Sequence, residues 1–283
     1  MQVAPLQPAR TEAVRRMLLE APDTNLYMLG ALAGGGLANH EGVTWWGASR
    51  DGQLAAVVWQ GRPQPDPGAR RAAGLVVPWG EDEACAAVGR RIALEGPPEL
   101  VIGPREASDA LWRGMGDPPA RIWYAQRLYV CTAVQAGPTL AMRPARADEL
   151  PMVIEMSAAM MREDLGADPR LADPDGFPRK MQARVLGGRV LLGLLGEEVV
   201  FKVDIGTRTA QGVQVGGTFV VPRYRGRGLG TAGMRAACAR LQAQSPRVSL
   251  HVNEANTPAV RAYEAAGFRR DAPFRLASRE LGG

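Results

Sequence analysis

The apolar and polar positions of the chain follow one order of elements, and that order occurs twice. Each occurrence begins with a short strand that leads into a helix, followed by a second helix and a hairpin. A strand, a helix, a strand, a helix and a closing strand complete it. This order predicts an α/β fold of two tandem domains, each a mixed, mostly antiparallel sheet flanked by helices.

The predicted elements come in pairs, as in divergent copies of one unit. Paired elements are expected at 10–20 and 146–161, 24–33 and 175–187, 45–59 and 190–205, 75–78 and 219–222, 99–115 and 247–266, and 122–134 and 268–281. Asp51-Gly52 is a strong tight-turn signal in the first hairpin, and Gly196-Glu197-Glu198 has the same role in the second.

The aromatic residues divide the chain into two halves. All six tryptophans lie between Trp45 and Trp123, whereas all five phenylalanines lie between Phe177 and Phe274. The turn-like segment 134–139 separates the two groups. We therefore expect a boundary near Gly137, with domains at 1–136 and 137–283.

A basic, glycine-rich turn follows the apolar run that ends at Pro222, and a helix is expected from about Leu229. Backbone N–H groups in such a turn, together with the positive end of the helix, form a site for an anion. Glycine is expected there because a side chain would hold a phosphate away from the backbone. The corresponding turn of the first half contains Glu81, Asp82 and Glu83, which would repel a phosphate.

Positive charge is concentrated around the same turn. The chain has a net charge of +5, and the interval between Asp204 and Glu254 has no acidic residue. The arginines of that interval are Arg208, Arg223, Arg225, Arg227, Arg235, Arg240 and Arg247. This pattern indicates a polyanionic small ligand or a nucleic acid. A nucleic-acid site would interleave aromatic residues with the arginines, and only Tyr224 lies among them, so we favour the small ligand.

Two motifs in the second half resemble those of a known family. Arg225-Gly226-Arg227-Gly228-Leu229-Gly230 resembles the R/Q-x-x-G-x-G/A signature of the GNAT superfamily of acyl-CoA N-acyltransferases. The segment from Asn256 to Phe268 resembles its N-x-x-A-x-x-x-Y-x-x-x-G-F pattern. The resemblance covers roughly 140–283, and the duplication extends the fold in degenerate form to the first half, where we expect no CoA site.

The resemblance implies transfer of an acetyl group from acetyl-CoA to a primary amine by direct attack. Tyr263 would act as the general acid that protonates the departing thiolate. Acetyl-CoA would be bound by Phe219, Val220, Val221, Arg225, Gly226, Arg227, Gly228, Leu229, Gly230, Thr231 and Asn256. Direct attack needs neither a metal nor a cysteine nucleophile. A strand N–H near Phe219 or Val220 would stabilise the oxyanion.

The general base is less clearly marked, because no acid lies between Val213 and Val221. Asp204 and His251 are the candidates for a base or for the anchor of a water chain. Both residues also fit the polar, solvated face of a strand. Asn256 could likewise be a helix cap, and Tyr263 could be a core residue.

Two other functions fit part of the pattern. The protein could be a non-catalytic acyl-CoA sensor, although a sensor would be expected to lose the acid Tyr263. Gly228, Gly230 and Gly233 also fit the dinucleotide fingerprint G-x-G-x-x-G. That motif normally follows its strand directly, whereas residues 222–225 intervene here.

The remaining composition narrows the chemistry further. Three cysteines without a C-x-x-C pattern, together with two histidines, His40 and His251, argue against a disulfide framework and a metal site. Apolar runs are shorter than a membrane span and no secretory signal is visible, so we expect a cytoplasmic protein without membrane contact. The acceptor is expected to be a small-molecule amine or a protein amine, and the sequence leaves monomer and homodimer open.

Overall fold

The computed structural model describes residues 1–37, 42–61, 74–96 and 98–279. His40 and the last two residues of the predicted closing strand lie outside these ranges. The described strands are β1 Gln2–Pro5, β2 Val43–Arg50, β3 Gln53–Gly61, β4 Leu75–Gly80, β5 Leu100–Pro104, β6 Ala120–Cys131, β7 Ala141–Pro144, β8 Val190–Leu195, β9 Glu198–Arg208, β10 Val213–Val220, β11 Val248–Asn253 and β12 Arg269–Arg279.

Helices cover both faces of the sheet. They are α1 Thr11–Leu19, α2 Leu26–Gly35, α3 Asp82–Glu95, α4 Arg105–Gly114, α5 Leu150–Leu165, α6 Pro169–Ala172, α7 Gly176–Leu186, α8 Leu229–Gln242 and α9 Thr257–Ala266. Short 3₁₀ turns precede α1, α5 and α8. The predicted fold class, a mixed and mostly antiparallel sheet flanked by helices, is confirmed.

The two hairpins turn where the sequence predicts. Asp51 and Gly52 both have positive φ, at 51° and 79°, which is the type I′ geometry that matches the twist of a hairpin. Gly196, at φ 62°, makes the turn between β8 and β9. Local turn chemistry therefore sets the register of both hairpins.

The described strands form one continuous sheet, in the order β1-β2-β3-β4-β5-β12-β6-β11-β10-β9-β8-β7. Two neighbouring pairs are parallel, β4 with β5 and β10 with β11, and each is paired over only two residues. The other neighbouring pairs of described strands are antiparallel.

The closing strands of the two halves are exchanged. In β12, Phe274 faces Pro104 of β5 on one side and Gln126 of β6 on the other. β6, from the first half, then pairs with β11 of the second. The two separate sheets that the sequence predicts are therefore joined into one, because each closing strand completes the other half. The boundary near Gly137 remains a prediction, since it divides the chain but not the sheet.

Each half has apolar cores on both faces of its part of the sheet. In the first half α3 and α4 cover one face and α1 and α2 the other. In the second half α8 and α9 cover one face, while α5 and α7 pack on the opposite face. The two halves also meet through α2, which contacts β9, with Gly30 so close to Thr207 that a side chain would collide.

Charged side chains also connect the halves. Glu254, after β11, accepts from Arg105 and Arg127 at 2.9 Å and from Arg270 at 2.6 Å. Burial raises the pKa of Glu254, but the hydrogen bonds from these arginines outweigh it and lower the pKa to about 2. The carboxylate therefore stays charged between guanidinium groups of both halves.

A membrane span needs a long apolar helix. Within the ranges that the structure describes, no helix is both long and apolar enough to form one.

Separate expression of residues 1–136 and 137–283 tests the strand exchange. Alone, β6 would lose both of its neighbours, and β12 would lose β5 and β6, leaving open sheet edges that favour aggregation. We expect each fragment to be insoluble or self-associated, and co-expression to give a one-to-one complex by light scattering. A monomeric 137–283 fragment that unfolds cooperatively would contradict the exchange.

Candidate functional site

A cleft opens where β10 and β11 separate. The two strands pair at Val213 with Val248 and at Gln214 with Ser249, and no further pairs join them among the described residues. Beyond this point β10 continues to Val220 with β9 on its other edge. The facing edge of β10 therefore presents backbone groups to which an extended ligand can hydrogen-bond like an added strand.

The alternation of backbone directions identifies Val220 as the donor on the cleft side. The Val221 N–H donates to the Val200 carbonyl of β9 at 3.0 Å. Because successive residues of a strand point their N–H groups to opposite edges, the Val220 N–H faces the cleft and the Phe219 N–H faces β9. Of the two residues that the sequence suggests for an oxyanion donor, the geometry favours Val220.

The turn between β10 and α8 has the conformation that only glycine adopts easily. Gly226 and Gly228 have φ of 73° and 74°, and Gly228 caps α8. Open space lies in front of both Cα atoms, so glycine is required here by backbone conformation. Among the described residues, the N–H groups of 226–231 donate no backbone hydrogen bond. These N–H groups can therefore donate to an anion at the positive end of the helix.

Tertiary contacts neutralise several arginines of the acid-free interval. Arg225 donates to both carboxylate oxygens of Glu163 at 2.9 Å and lies over the Phe219 ring. Arg223 and Arg247 pair with Glu198 and Asp23, at 3.5 and 2.6 Å. Arg225 therefore serves to join the turn to α5.

Arg227 is the remaining arginine within the turn itself. It lies over the Tyr224 ring and has no ion pair with any described residue. It is thus the guanidinium that can turn toward a bound phosphate without breaking a salt bridge.

Tyr263 reaches the cleft from α9. Its side chain is 8% exposed, and its hydroxyl is within hydrogen-bonding reach of the Thr218 side chain on β10. Burial raises the pKa of Tyr263, the Thr218 hydrogen bond lowers it, and the charge of Asp164 raises it again. The net shift is upward, so the phenol keeps its proton at neutral pH. The burial of Tyr263 and its position beside Thr218 show that a core residue can also face the cleft.

Asp164, in the last turn of α5, is an exposed residue whose charge acts on the Tyr263 phenol, and the sequence motifs did not reveal it. Partial desolvation of its carboxylate raises its pKa, Glu163 raises it further, and Arg225 lowers it, with a net upward shift. One signal was present in the sequence. Two acids at the C-terminal end of a helix oppose the helix dipole, and broken local rules are expected at functional sites.

Asn256 is the N-cap of α9. Its Oδ1 accepts from the Ala259 N–H at 3.2 Å, and the residue is exposed. The cap uses the side-chain oxygen, so a contact with CoA would have to come from the amide nitrogen. The family motif and the cap are therefore compatible on one residue.

Asp204 is buried and held by two cations. Its Oδ1 accepts from Lys202 Nζ at 2.7 Å and its Oδ2 from Arg184 Nη1 at 3.0 Å. Only 4% of the residue is exposed, so the solvated strand face expected from the sequence is wrong for this residue. Because both oxygens already bind cations, Asp204 is poorly suited to take a proton from an amine.

His251 is enclosed on the face of the sheet that carries Gln214. Its Nδ1 lies 3.4 Å from Gln214 Nε2, and its ring stacks on Phe274 with centroids 4.1 Å apart. Burial lowers the pKa of His251 to about 4, so the ring is neutral at physiological pH. Its Nε2 is buried and has no hydrogen-bond partner among the described residues. A base with this pKa would be weak.

The equivalent cleft of the first half is filled by the protein. β4 and β5 also separate after two pairs, but Pro78 lies within β4, so close to Gly103 that an added Cβ would be 2.9 Å from the proline ring. Pro78 therefore does not match Pro222, which begins the 3₁₀ turn after β10. Arg50 forms ion pairs with Glu81 at 3.0 Å and with Glu83 at 2.8 Å. These pairs hold two carboxylates at the start of α3, where the second half has its glycine turn.

A groove of about 880 Å³ lies elsewhere in the first half, between α1 and the ends of β3 and β4. It is lined by Arg10, Arg16, Glu20, Leu54, Trp79 and Glu81. It contains both acids and arginines and lies in the first half, whereas Tyr263 and the glycine turn lie in the second. The groove therefore carries none of the chemistry of the cleft.

Of the three glycines in the possible dinucleotide fingerprint, only Gly233 is required by packing. An added Cβ on Gly233 would lie 2.6 Å from the Phe201 ring, and one on Gly230 would contact Val220. A 3₁₀ turn separates the first of these glycines from β10. The fingerprint thus lacks its usual strand-to-glycine connection. Within the described ranges, no group of three or more His, Cys, Asp or Glu residues is arranged to hold a metal ion.

Part of the second half matches a known family model. Residues 161–268 match the family model described as "Acetyltransferase (GNAT) family". No curated protein sequence matches the chain significantly.

Solved structures resemble the whole chain. A GNAT-family acetyltransferase from Colwellia psychrerythraea is 10% identical with a TM-score of 0.58, covering 99% of this chain and 100% of its own. A GCN5-related N-acetyltransferase from Sphaerobacter thermophilus is 18% identical with a TM-score of 0.61, covering 99% and 95%. A tandem GNAT protein from the clavulanic acid biosynthesis pathway is 15% identical with a TM-score of 0.53, covering 100% and 99%. At such identities the likeness establishes the tandem fold.

The lowered pKa of the partly buried His251 predicts a pH-dependent stability. A histidine with pKa near 6.5 when unfolded and about 4 when folded binds more protons in the unfolded state, so stability falls as pH drops from 6.5 toward 4. At pH 5 this loss is roughly 2 kcal/mol, and it is nearly zero at pH 7.5. Urea unfolding at both pH values should show it.

The comparison protein is His251→Gln, which cannot titrate but retains a polar side chain. Its own stability difference between pH 7.5 and pH 5 should be smaller than that of the wild type by roughly 2 kcal/mol. Equal differences in the two proteins would show that His251 is not held neutral.

Proposed function

We propose that this protein transfers an acetyl group from acetyl-CoA to a primary amine, because residues 161–268 match the family model described as "Acetyltransferase (GNAT) family". The observation that carries the proposal is the cleft between β10 and β11, with the glycine turn at its end and the Tyr263 hydroxyl beside it. The glycine turn would bind the phosphates of acetyl-CoA and the region beside Tyr263 would bind its thioester, and the two adjoin in this cleft.

Acetyl-CoA would bind along the turn and the free edge of β10. The pyrophosphate would accept hydrogen bonds from the N–H groups of 226–231, with Arg227 as the nearby cation, while the Arg225 N–H donates to the Pro222 carbonyl. The pantetheine arm would pair with the main chain of 217–221, as an added strand does. Asn256 would contact the arm through its amide.

The chemistry is a direct attack of the amine nitrogen on the thioester carbonyl carbon. The C–N bond forms as the C–S bond breaks, and the tetrahedral oxyanion between them would be stabilised by the Val220 N–H. Tyr263 would give its proton to the departing thiolate, so that the products are an amide and free CoA. The raised pKa of Tyr263 supports this role, because the acid must be protonated before the reaction.

We propose Asp164 as the group that accepts the proton of the amine. Its raised pKa makes it a better base than an ordinary carboxylate, and its charge raises the pKa of the Tyr263 phenol. Asp204 and His251, the two candidates from the sequence, are less suited because the first is ion-paired and the second is a weak base.

The acceptor is proposed to be a small-molecule amine or a protein amine. The positive charge of the chain favours an acceptor that is anionic elsewhere, such as an amino acid. Tyr263 at the cleft favours an enzyme over a non-catalytic acyl-CoA sensor.

Calorimetry is expected to give one acetyl-CoA per chain, bound in the second half. Gly228→Ala should weaken binding by roughly tenfold or more, because a non-glycine residue at φ 74° costs about 1–2 kcal/mol. Gly52→Ala is the matched control, since it places the same strain at φ 79° in the β2–β3 turn. Two equivalent sites, or none, would contradict the proposal.

Transfer itself is tested by release of free CoA from acetyl-CoA against a library of primary amines. Release with at least one amine is expected. Tight binding of acetyl-CoA without release by any amine would instead favour the sensor.

Tyr263→Phe is expected to lower kcat by about 10²- to 10⁴-fold, the range typical of a lost general acid, with acetyl-CoA affinity nearly unchanged. Asp164→Asn should remove the acidic limb of the pH–kcat profile, where the wild type loses activity as the carboxylate becomes protonated. Initial rates across pH, with calorimetry for affinity, measure both.

Tyr129→Phe is the matched control for loss of a phenol. Tyr129 is also buried and donates to Glu264 at 3.1 Å, but it lies on β6, which β11 separates from β10 in the sheet. Its kcat should equal that of the wild type. An unchanged kcat in Tyr263→Phe would exclude Tyr263 as the acid.

A further inference from the structure

β10 contains one extra residue just before the reacting part of the cleft. Gly216 pairs with Asp204 and Phe219 with Lys202, so two residues of β10 oppose the single Val203 of β9. This is a β-bulge, which bends a strand and re-aims the groups that follow it. Thr218 belongs to the bulge and Val220 follows it.

Two consecutive glycines inside a strand, such as Gly216-Gly217, are typical of a bulge or a close backbone approach, and the structure has a bulge here. Gly217 has φ of 59°. A side chain there would collide with the Asp204 carboxylate and come within 3.2 Å of Lys202 Nζ. Glycine is thus required both by conformation and by the charged groups packed against it.

Lys202 holds this bulge from the side of β9. Its Nζ donates to the Gly217 carbonyl at 3.0 Å and to Asp204 Oδ1 at 2.7 Å, and no part of Lys202 is exposed. Arg184, on α7, pairs with the other Asp204 oxygen at 3.0 Å. The Gly217 carbonyl, displaced from the regular ladder, thereby gains a charged donor.

Composition gives this lysine further weight. Lys180 and Lys202 are the only lysines among 34 basic residues, so the chain otherwise uses arginine for positive charge. A lysine ammonium is a compact point charge, whereas the planar guanidinium is wider and presents a rigid fork. The enclosed space between Asp204 and Gly217 suits the ammonium.

Stability alone is a poor reason to bury these charges. Replacing a buried ion pair by apolar residues is often neutral or stabilising, whereas removing one partner is strongly destabilising. The best-attested use of such a pair is to select one register over another. The bulge fixes how β10 pairs with β9, so a buried ion pair at the bulge can select this register over a shifted one.

We propose that Lys202, Asp204 and Arg184 lock the β10 bulge, and that Lys202 is a positioning residue that aims Thr218 and the Val220 N–H into the cleft. The inference rests on the proposed acetyl transfer, because it assigns the purpose of the lock to that reaction. Lys202 touches neither acetyl-CoA nor amine and acts through the backbone of Gly217.

Lys202→Met tests the lock. It keeps the length of the side chain and removes the donor, so the Gly217 carbonyl loses its partner. Amide hydrogen exchange of the peptide 213–221, in the free protein, is expected to become faster. With acetyl-CoA and the best amine of the library, kcat should fall by about 10- to 100-fold, as expected for a misplaced reacting group. Acetyl-CoA affinity should stay within about threefold, because the turn at 225–231 is intact.

Asp109→Asn is the control for a lost ion pair. Asp109 accepts from Arg275 at 2.7 and 3.0 Å, far from the glycine turn, so it should lower stability without changing kcat or the exchange of 213–221. Lys202→Arg keeps a charged donor and should recover part of the kcat that Lys202→Met loses. If Lys202→Met fails to fold, Arg184→Met loosens Asp204 from its more exposed side and should give a smaller effect in the same direction.

Unchanged exchange of 213–221 in a folded Lys202→Met protein would overturn the lock. Faster exchange with an unchanged kcat would overturn the positioning role. A wild-type protein that transfers acetyl to no amine would refute the proposed function and the positioning role with it, while the exchange measurement would still decide whether Lys202 holds the bulge.

Discussion

Every backbone N–H and C=O group that a sheet shields from water needs a hydrogen-bond partner, and this fold leaves a row of them open where β10 parts from β11. The other features of the site depend on that opening. Tyr263 can reach Thr218 from α9 because β11 no longer fills the space between them. The glycine turn stands at the end of the same open edge, so a ligand that fills the edge also meets the first turn of α8.

The two halves differ in whether the gap between their two parallel strands is filled by the protein or left open. In the first half Pro78 occupies the gap and Arg50 keeps Glu81 and Glu83 at the start of the helix. In the second half the gap is left free and the bulge beside it is held by buried charges. The first half keeps the strands that the second needs, because β6 completes the sheet next to β11.

Much of the fold and part of the site could be predicted from the sequence, because the signals are local. Asp51-Gly52 and Gly196 predict their turns because these residue types readily adopt the positive φ that the turns have. The apolar runs, with glycine and proline at their ends, predict the order of strands and helices. Gly216-Gly217 indicated the bulge for the same reason. The turn at 225–230 and Tyr263 were predicted as parts of the candidate site because each lies in a short, continuous sequence motif of a known family.

What the sequence did not reveal depends on contacts between distant residues. The sequences of β6 and β12 contain no local signal for the half in which each strand will pair, so the sequence does not predict the exchange of strands. The acid-free interval looked uncompensated because Glu163, Glu198 and Asp23 reach its arginines only in the folded chain. The sequence predicts a solvated Asp204 because alternation along a strand shows which residues share a face of the sheet. It does not show that α7 will cover the face that carries Asp204.

The exchange of closing strands also determines when the sheet can close during synthesis. Gly103 of β5 pairs with Arg275, about 170 residues later in the chain. At translation rates of about 5 to 20 residues per second, the edge of β5 waits roughly 10 to 30 s for β12 to emerge. During that interval the same edge can accept the β12 of a neighbouring nascent chain. Ribosomes closely spaced on one message would therefore favour intertwined dimers of this protein, which slower initiation or a chaperone at the exit tunnel would suppress.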